Sequence, residues 1–311
     1  MKLQRVQDIL ARQGRRKFVS SMNNLKTNVK RAIKQVVPAG FRRNRKIRAA
    51  RKALGQIERQ PCRSEPLLPS SAIDLHDILH NPEKISEWES LEPKLADLMN
   101  MAPSTAQSDG NRGVNPGDQR AIYHLIRALK PKRVLEVGTN VGFSTLHIAA
   151  ALDANGADSR ITTVDITDVN DPTDQPWKGC AKPYAPRDML AAGGYGDMVT
   201  FVAQNSLDYL TDCKDKFDFI FLDGSHDADV VYQEVPKAID ALAGGGVILL
   251  HDFYAGLTFL WDNKKIIPGP CIAIDRLLAE GVRLEVIPFG ALPWPTKGAS
   301  HMTSLALMVR Q

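Results

Sequence analysis

Cysteine is scarce in this 311-residue chain, and its four copies are scattered. Cys62, Cys180, Cys213 and Cys271 never stand in the paired spacing of a zinc site and do not suggest a secreted disulfide framework, so reduced thiols are expected. Long apolar runs are missing too. None approaches the roughly 18 residues a membrane-spanning helix needs, and the N-terminus lacks the apolar stretch of a secretory signal. The expectation is a cytoplasmic protein whose only route to a membrane is peripheral. Acidic residues are nearly absent from one region: residues 1–60 hold 18 Lys/Arg against two acids, Asp8 and Glu58. Residues 61–311 hold 22 Lys/Arg against 33 acids. The modest net charge of +5 therefore joins a strongly basic arm to an acidic body.

The arm has helical periodicity. Met22, Leu25, Val29, Ile33 and Val36 recur at three- and four-residue intervals, with Lys26, Lys30, Arg31 and Lys34 between them. Pro38-Ala39-Gly40 stops this helix, a second basic segment runs from Phe41 to Leu54, and residues 3–13 read as a weaker helix. Such an arm suits an anionic membrane, nucleic-acid phosphates, or a solvated or packing role. Its composition is also that of a mitochondrial transit peptide. Residues 1–60 are thus a basic helical arm and 61–71, with Pro61, Pro66 and Pro69, a linker. Residues 72–114 form an acidic helical cap. Asn81-Pro82 opens a helix that should break or restart near Pro93 and end by Leu98. The polar loop from Ser104 to Gly113 could close over a ligand. The main domain is expected over 115–311, with a helix starting at Asn115-Pro116.

From Arg133 onward, short apolar runs alternate with amphipathic helices. The predicted strands are Val134–Val137, Ile161–Val164, Val199–Val202, Phe217–Leu222 and Gly246–Leu250, followed by Val282–Ile287 and Ser304–Val309. The pattern implies an α/β fold: a Rossmann-like, doubly wound seven-stranded sheet covered on both faces. The final pair lacks a helix between its members, so the last strand should be antiparallel.

Ligands of such sheets bind outside the carboxyl ends of the strands. The first strand ends Glu136-Val137-Gly138-Thr139-Asn140-Val141-Gly142-Phe143-Ser144, whose glycines permit a tight turn without matching the dinucleotide or P-loop signatures. Asp165, ending strand two, is placed to accept hydrogen bonds from a ribose. After strand three, Asn205 could meet an adenine edge while Ser206 caps the next helix. Strands four and five end in Asp223-Gly224-Ser225-His226 and His251-Asp252-Phe253.

Together these residues resemble the class I S-adenosylmethionine (SAM)-dependent methyltransferases. Within them the chain from about Asn115 is similar to the small-molecule O-methyltransferases related to catechol and caffeoyl-coenzyme A O-methyltransferases. The closest likeness is to a bacterial branch written LEVGTxxGxST, DGxH and GGxxxxHD, matched here at Leu135–Thr145, Asp223–His226 and Gly245–Asp252. The resemblance implies SAM as cofactor, held by Glu136, Gly138, Thr139, Gly142, Ser144, Asp165, Asn205, Ser206 and Asp223. It implies methyl transfer to the hydroxyl of a small molecule or sugar. In metal-dependent relatives an Asp after strand four and an Asp-Asn pair after strand five hold Mg²⁺. Asp223 and Asp252 match two of these ligands, while Phe253 at the third cannot ligate. His226 could complete a site for another divalent cation or act with Asp223 as the catalytic base; a structural role is expected for His251. Acceptor specificity is expected from Asp168–Tyr184 and Tyr254–Pro270. Two other readings stay open: a SAM-binding protein targeted by its arm, and a nucleic-acid methyltransferase. The acidic catalytic half, without an Asn-Pro-Pro-aromatic motif, speaks against the latter. A homo-oligomer is also open.

Overall fold

The computed structural model describes residues 38–99, 113–156, 158–180 and 182–311. The expected helices at 3–13 and 22–36, and nearly all of the loop 104–113, lie outside these residues. The chain divides between Lys46 and Ile47 into two units. A basic helix, α1 (Ala39–Leu54), runs across that point. In the second unit it buries Ile47 and Leu54 in the core.

The second unit contains a seven-stranded sheet, built from β1 (Arg133–Val137), β2 (Arg160–Asp165), β3 (Val199–Ala203), β4 (Phe217–Leu222), β5 (Leu242–Leu250), β6 (Leu284–Pro288) and β7 (Ala306–Arg310). Their order is β3-β2-β1-β4-β5-β7-β6. The first five are parallel, and β7 enters antiparallel between β5 and β6, as the sequence pattern implies. The strand order reverses between β1 and β4, and that switch point is the crevice where such sheets take ligands.

Strand periodicity sorts the apolar residues into two cores, one per face. Leu135, Val137, Ile220, Leu222, Ile248, Leu250 and Met308 join the core that also holds Leu54. Val134, Phe219, Phe221, Val247, Leu249, Leu307 and Val309 join the other. Helices α8 (Ala228–Asp240) and α9 (Gly269–Ala279) cover the first face. Helices α4 (Pro116–Leu129), α5 (Phe143–Ala154) and α6 (Pro186–Ala192) cover the second. A short helix, α7 (Ser206–Asp212), follows β3.

Before the sheet come α2 (Leu75–His80) and α3 (Pro82–Leu98). Asn81 caps α3, its side chain accepting from Glu83 N at 3.0 Å. Contrary to the sequence expectation, α3 does not break at Pro93. Pro93 and Glu89, whose carbonyl loses its donor, are both exposed, so water can satisfy what the missing N–H leaves open. Burial of Trp88 and Leu95 holds the rest of the helix down. Ahead of both helices, Leu68 N donates to Gly246 O at 2.8 Å and Leu68 O accepts from Arg310 N at 2.8 Å. The proline-rich segment is thereby stitched between the ends of β5 and β7 farthest from the ligand-bearing strand ends.

A helix that tolerates an exposed proline should gain from its removal. Pro93→Ala is expected to raise stability by roughly 1–3 kcal/mol, measured by chemical denaturation. A loss of stability would mean that the proline fits a bend the continuous helix does not have.

Candidate active site

Close backbone approach assembles the crevice. Gly138 has φ +100°, and a Cβ there would lie 2.4 Å from the carbonyl oxygen of Asp223. The end of β1 therefore touches the end of β4 directly, and Asp223 N donates to Val137 O at 2.9 Å. Gly269, at the start of α9, plays the same part on the other side: a Cβ would lie 2.0 Å from the carbonyl oxygen of His226. The loop bearing Asp223 and His226 is held between these two glycines. Sequence reading missed Gly269, which has no motif around it.

Behind the glycine loop lies a buried polar chain. Glu136, fully buried on β1, accepts from Thr145 Oγ1 and Thr163 Oγ1 (2.6 Å) at Oε2, and Thr139 Oγ1 meets Thr163 Oγ1 at 2.6 Å. Burial pushes the Glu136 carboxyl up to about 7, against the pull of the hydroxyls of Ser144, Thr145 and Thr163 and with a further push from Asp223. Its Oε1 is buried and has no hydrogen-bond partner among the described residues. Asp165 braces the loop: its carboxylate accepts from Asn140 N at 2.9 Å and Thr167 N at 3.0 Å. One backbone donor on each oxygen leaves lone pairs for a ligand.

Asn205 takes the cap expected of Ser206. Asn205 is the cap of α7, its Oδ1 accepting from Leu207 N at 2.9 Å and Asp208 N at 3.4 Å. Ser206 does not cap; its hydroxyl donates to the buried Glu234. A side-chain oxygen one position earlier already reaches the first free N–H groups, so the serine is released to pair elsewhere. Only the Asn205 amide nitrogen is left to address a base edge.

At the ends of β4 and β5, Asp223, His226 and Asp252 place one ligand atom each within 4.8 Å of one another. His226 Nε2 lies 3.4 Å from Asp252 Oδ2, and its side chain is 41% exposed. Asp252 is buried with φ +53°, a left-handed conformation uncommon for a non-glycine residue. Ser304 fixes it, with Ser304 Oγ donating to Asp252 Oδ1 at 3.4 Å and Ser304 O accepting from Phe253 N at 2.9 Å.

His251 is clamped between carboxylates. Its Nδ1 lies 2.8 Å from Asp223 Oδ1 and its Nε2 3.2 Å from Asp118 Oδ2. Burial disfavours the charged ring, but Asp223, Asp252 and the hydrogen bonds to Asp118 and Asp223 outweigh it and raise the His251 pKa well above the usual value. Asp118, in the first turn of α4, is fully buried; it also accepts from Asn115 Nδ2 (2.6 Å) and Thr303 Oγ1 (2.5 Å). Sequence reading missed Asp118, although an acid in the first turn after Asn-Pro is also what an ordinary helix start looks like.

Two segments border the site. In Asp168–Tyr184, Lys182 Nζ sits 4.5 Å from the Phe143 ring centre and Cys180 Sγ 3.9 Å from Asn140 Oδ1, so this insertion packs onto the glycine loop. In Tyr254–Pro270, Tyr254 and Trp261 meet edge to face at 5.8 Å, and Trp261 Nε1 donates to Met302 O at 3.1 Å.

Residues 135–253, from β1 to just past β5, match a protein family described as a methyltransferase domain. The chain is similar in structure to a candidate O-methyltransferase from Klebsiella pneumoniae. They share 20% identity over 74% of this chain and 96% of that one, with a TM-score of 0.50. This likeness is one of fold. The O-methyltransferase TomG from Streptomyces achromogenes, solved with SAM, aligns over 73% of this chain and 98% of its own at 18% identity and TM-score 0.48. An O-methyltransferase from Bacillus cereus, solved with S-adenosylhomocysteine, aligns over 73% and 100% at 19% identity and TM-score 0.48. No curated protein matches the sequence.

Two consequences can be measured. Asp118→Ala leaves a buried imidazolium with one partner fewer and should cost about 3–5 kcal/mol in chemical denaturation. Because the His251 pKa is raised by folding, its stabilising contribution is fully present below the ordinary histidine range. It persists through neutrality and is lost only as the pH climbs through the raised value. Glu136 acts in the same sense, because folding raises its pKa too. Its folded carboxyl titrates near 7 rather than 4.5, so ionising it between those values lowers stability, by about 3 kcal/mol. Glu136→Gln should flatten the stability profile between pH 4.5 and 7; an unchanged slope would place the titration elsewhere.

Proposed function

We propose, from the methyltransferase domain over residues 135–253, that this chain transfers a methyl group from SAM to a hydroxyl oxygen of a small molecule. The observation that carries the reading is the direct contact of Gly138 with the Asp223 backbone. It sets a cofactor-sized glycine loop beside a cluster of Asp and His side chains that can handle a hydroxyl proton. The unpartnered Glu136 Oε1, the two glycines that a side chain would obstruct and the lone pairs left on Asp165 fit such a cofactor.

Gly138 and Gly142 lie along the methionine portion, with Thr139 and Ser144 in the loop between and just after them. Asp165 takes the ribose hydroxyls, and Asn205 Nδ2 the adenine. When bound, SAM supplies an electrophilic sulfonium methyl. The protein's part is to hold the acceptor oxygen in line and remove its proton. His226 is the exposed member of the cluster and takes that proton, while Asp252, 3.4 Å away, holds its ring. Asp223 is kept in place by His251 and faces the same crevice.

The donor set Asp223, His226 and Asp252 also fits a divalent cation such as Mg²⁺, which would acidify and orient the hydroxyl. One nitrogen donor among oxygens also suits ions softer than Mg²⁺. In that arrangement His226 ligates instead of acting as base. The Asp168–Tyr184 and Tyr254–Pro270 segments shape the acceptor pocket.

Isothermal titration with SAM and S-adenosylhomocysteine tests the central claim. Saturable binding is expected, weakened roughly 10- to 100-fold in Asp165→Ala, the cost of removing charge-assisted hydrogen bonds. Absence of binding would overturn the reading. Transfer of label from SAM to a panel of catechols, sugars and hydroxylated metabolites then identifies the acceptor. Activity lost on chelation and restored by Mg²⁺ or Mn²⁺ assigns His226 as a ligand. Activity untouched by chelation but lost in His226→Asn assigns it as the base.

A further inference from the structure

The catalytic reading makes no use of α1. This helix carries Arg42, Arg43, Arg45, Lys46, Arg48, Arg51 and Lys52 and no acid over its 16 residues. Its apolar side is already committed: Ile47 and Leu54 are buried and Ala50 packs on the same core. Phe41, Arg45, Arg48 and Lys52 stand four, seven and eleven residues along, which at 3.6 residues per turn places them in one stripe on the other side of the helix. All four are exposed, Phe41 at 62%. Among the described residues, Arg45, Arg48 and Lys52 form no ion pair with an acid. Arg51 does feel Asp275 and is left out of the stripe.

We propose that this stripe is a docking face for an anionic phospholipid bilayer. Three observations favour lipid. The cations stand in a row that no acid interrupts, on one continuous helix, so the row needs little ordering to bind. A large aromatic residue at the end of the row is exposed where it gains nothing from water, and aromatic rings partition to the headgroup level of a bilayer. The chain leading into the helix adds charge of the same sign: residues 1–60 hold 18 Lys/Arg and two acids.

The mode of binding follows from the packing. An ordinary interfacial helix buries its apolar face in the lipid, whereas α1 has given that face to the protein. Contact is therefore electrostatic, with Phe41 as the only apolar anchor on the stripe. It should be strongly salt-dependent and require anionic headgroups, as charge-held juxtamembrane segments do.

The test is cosedimentation of the full chain with vesicles of phosphatidylcholine alone and of equal parts phosphatidylcholine and phosphatidylserine. Binding is expected only to the anionic vesicles and should fall steeply as sodium chloride is raised. Each basic residue near an anionic surface contributes about a fivefold gain in affinity, so Arg45→Glu/Arg48→Glu/Lys52→Glu should lose roughly 100-fold or more. Phe41→Ser should lose a smaller factor. The charge-matched control Lys130→Glu/Lys132→Glu/Lys214→Glu alters exposed lysines elsewhere and should bind as the unaltered chain does. Circular dichroism establishes that each variant is folded. If the stripe variant does not fold, the salt and headgroup dependence of the unaltered chain decides.

Four results would overturn the proposal: no sedimentation with anionic vesicles, equal binding to neutral ones, salt-insensitive binding, or full retention by the folded stripe variant. Tighter binding to a duplex oligonucleotide that displaces the vesicles would also overturn it, in favour of nucleic acid. SAM titration of the stripe variant should match that of the unaltered chain, so failure here is distinguishable from failure of the catalytic reading.

Discussion

A buried imidazole between carboxylates holds the crevice together. His251 belongs to the end of β5, Asp223 to the end of β4, Asp118 to the first turn of α4, and Thr303, through Asp118, to the approach to β7. Four segments far apart in the chain thus meet on one ring. Taking three charged groups out of water is unfavourable unless each finds its partners. Here the hydroxyl of Thr303 and the amide of Asn115 supply what the ring alone does not. The geometry of Asp223 is then a property of this assembly, and a perturbation at Asp118 or Thr303 reaches the candidate site without touching it.

Steric closeness does the remaining positioning. Gly138 and Gly269 let backbone press on backbone from opposite sides of the loop that carries Asp223 and His226. A side chain at either place would displace that loop. Polar partners fix the side chains and absent side chains fix the main chain, and together they leave His226 as the solvent-facing member of its cluster.

The strands were legible in the sequence because five of them are short apolar runs between amphipathic helices, and the antiparallel insertion of β7 followed from a connection with no helix in it. The strand-end residues were legible because a doubly wound sheet gathers its strand ends in one place, so Gly138, Asp165, Asp223 and Asp252 needed no tertiary information. Asp118 was not, since its partner lies 133 residues away and its immediate setting reads as an ordinary helix start. The choice between Asn205 and Ser206 as cap depends on where the backbone turns by a single residue, which residue type cannot decide. Pro93 misled because the rule against proline in helices is one of cost, and exposure together with the burial of Trp88 and Leu95 offsets that cost.

The stitch at Leu68 has a topological meaning. It brings the segment ahead of α2 against Arg310, the last residue of β7. The path of the backbone through the sheet is therefore nearly a closed ring, with entry and exit side by side at the pole away from the crevice. The ligand-bearing strand ends lie on the uninterrupted side of it.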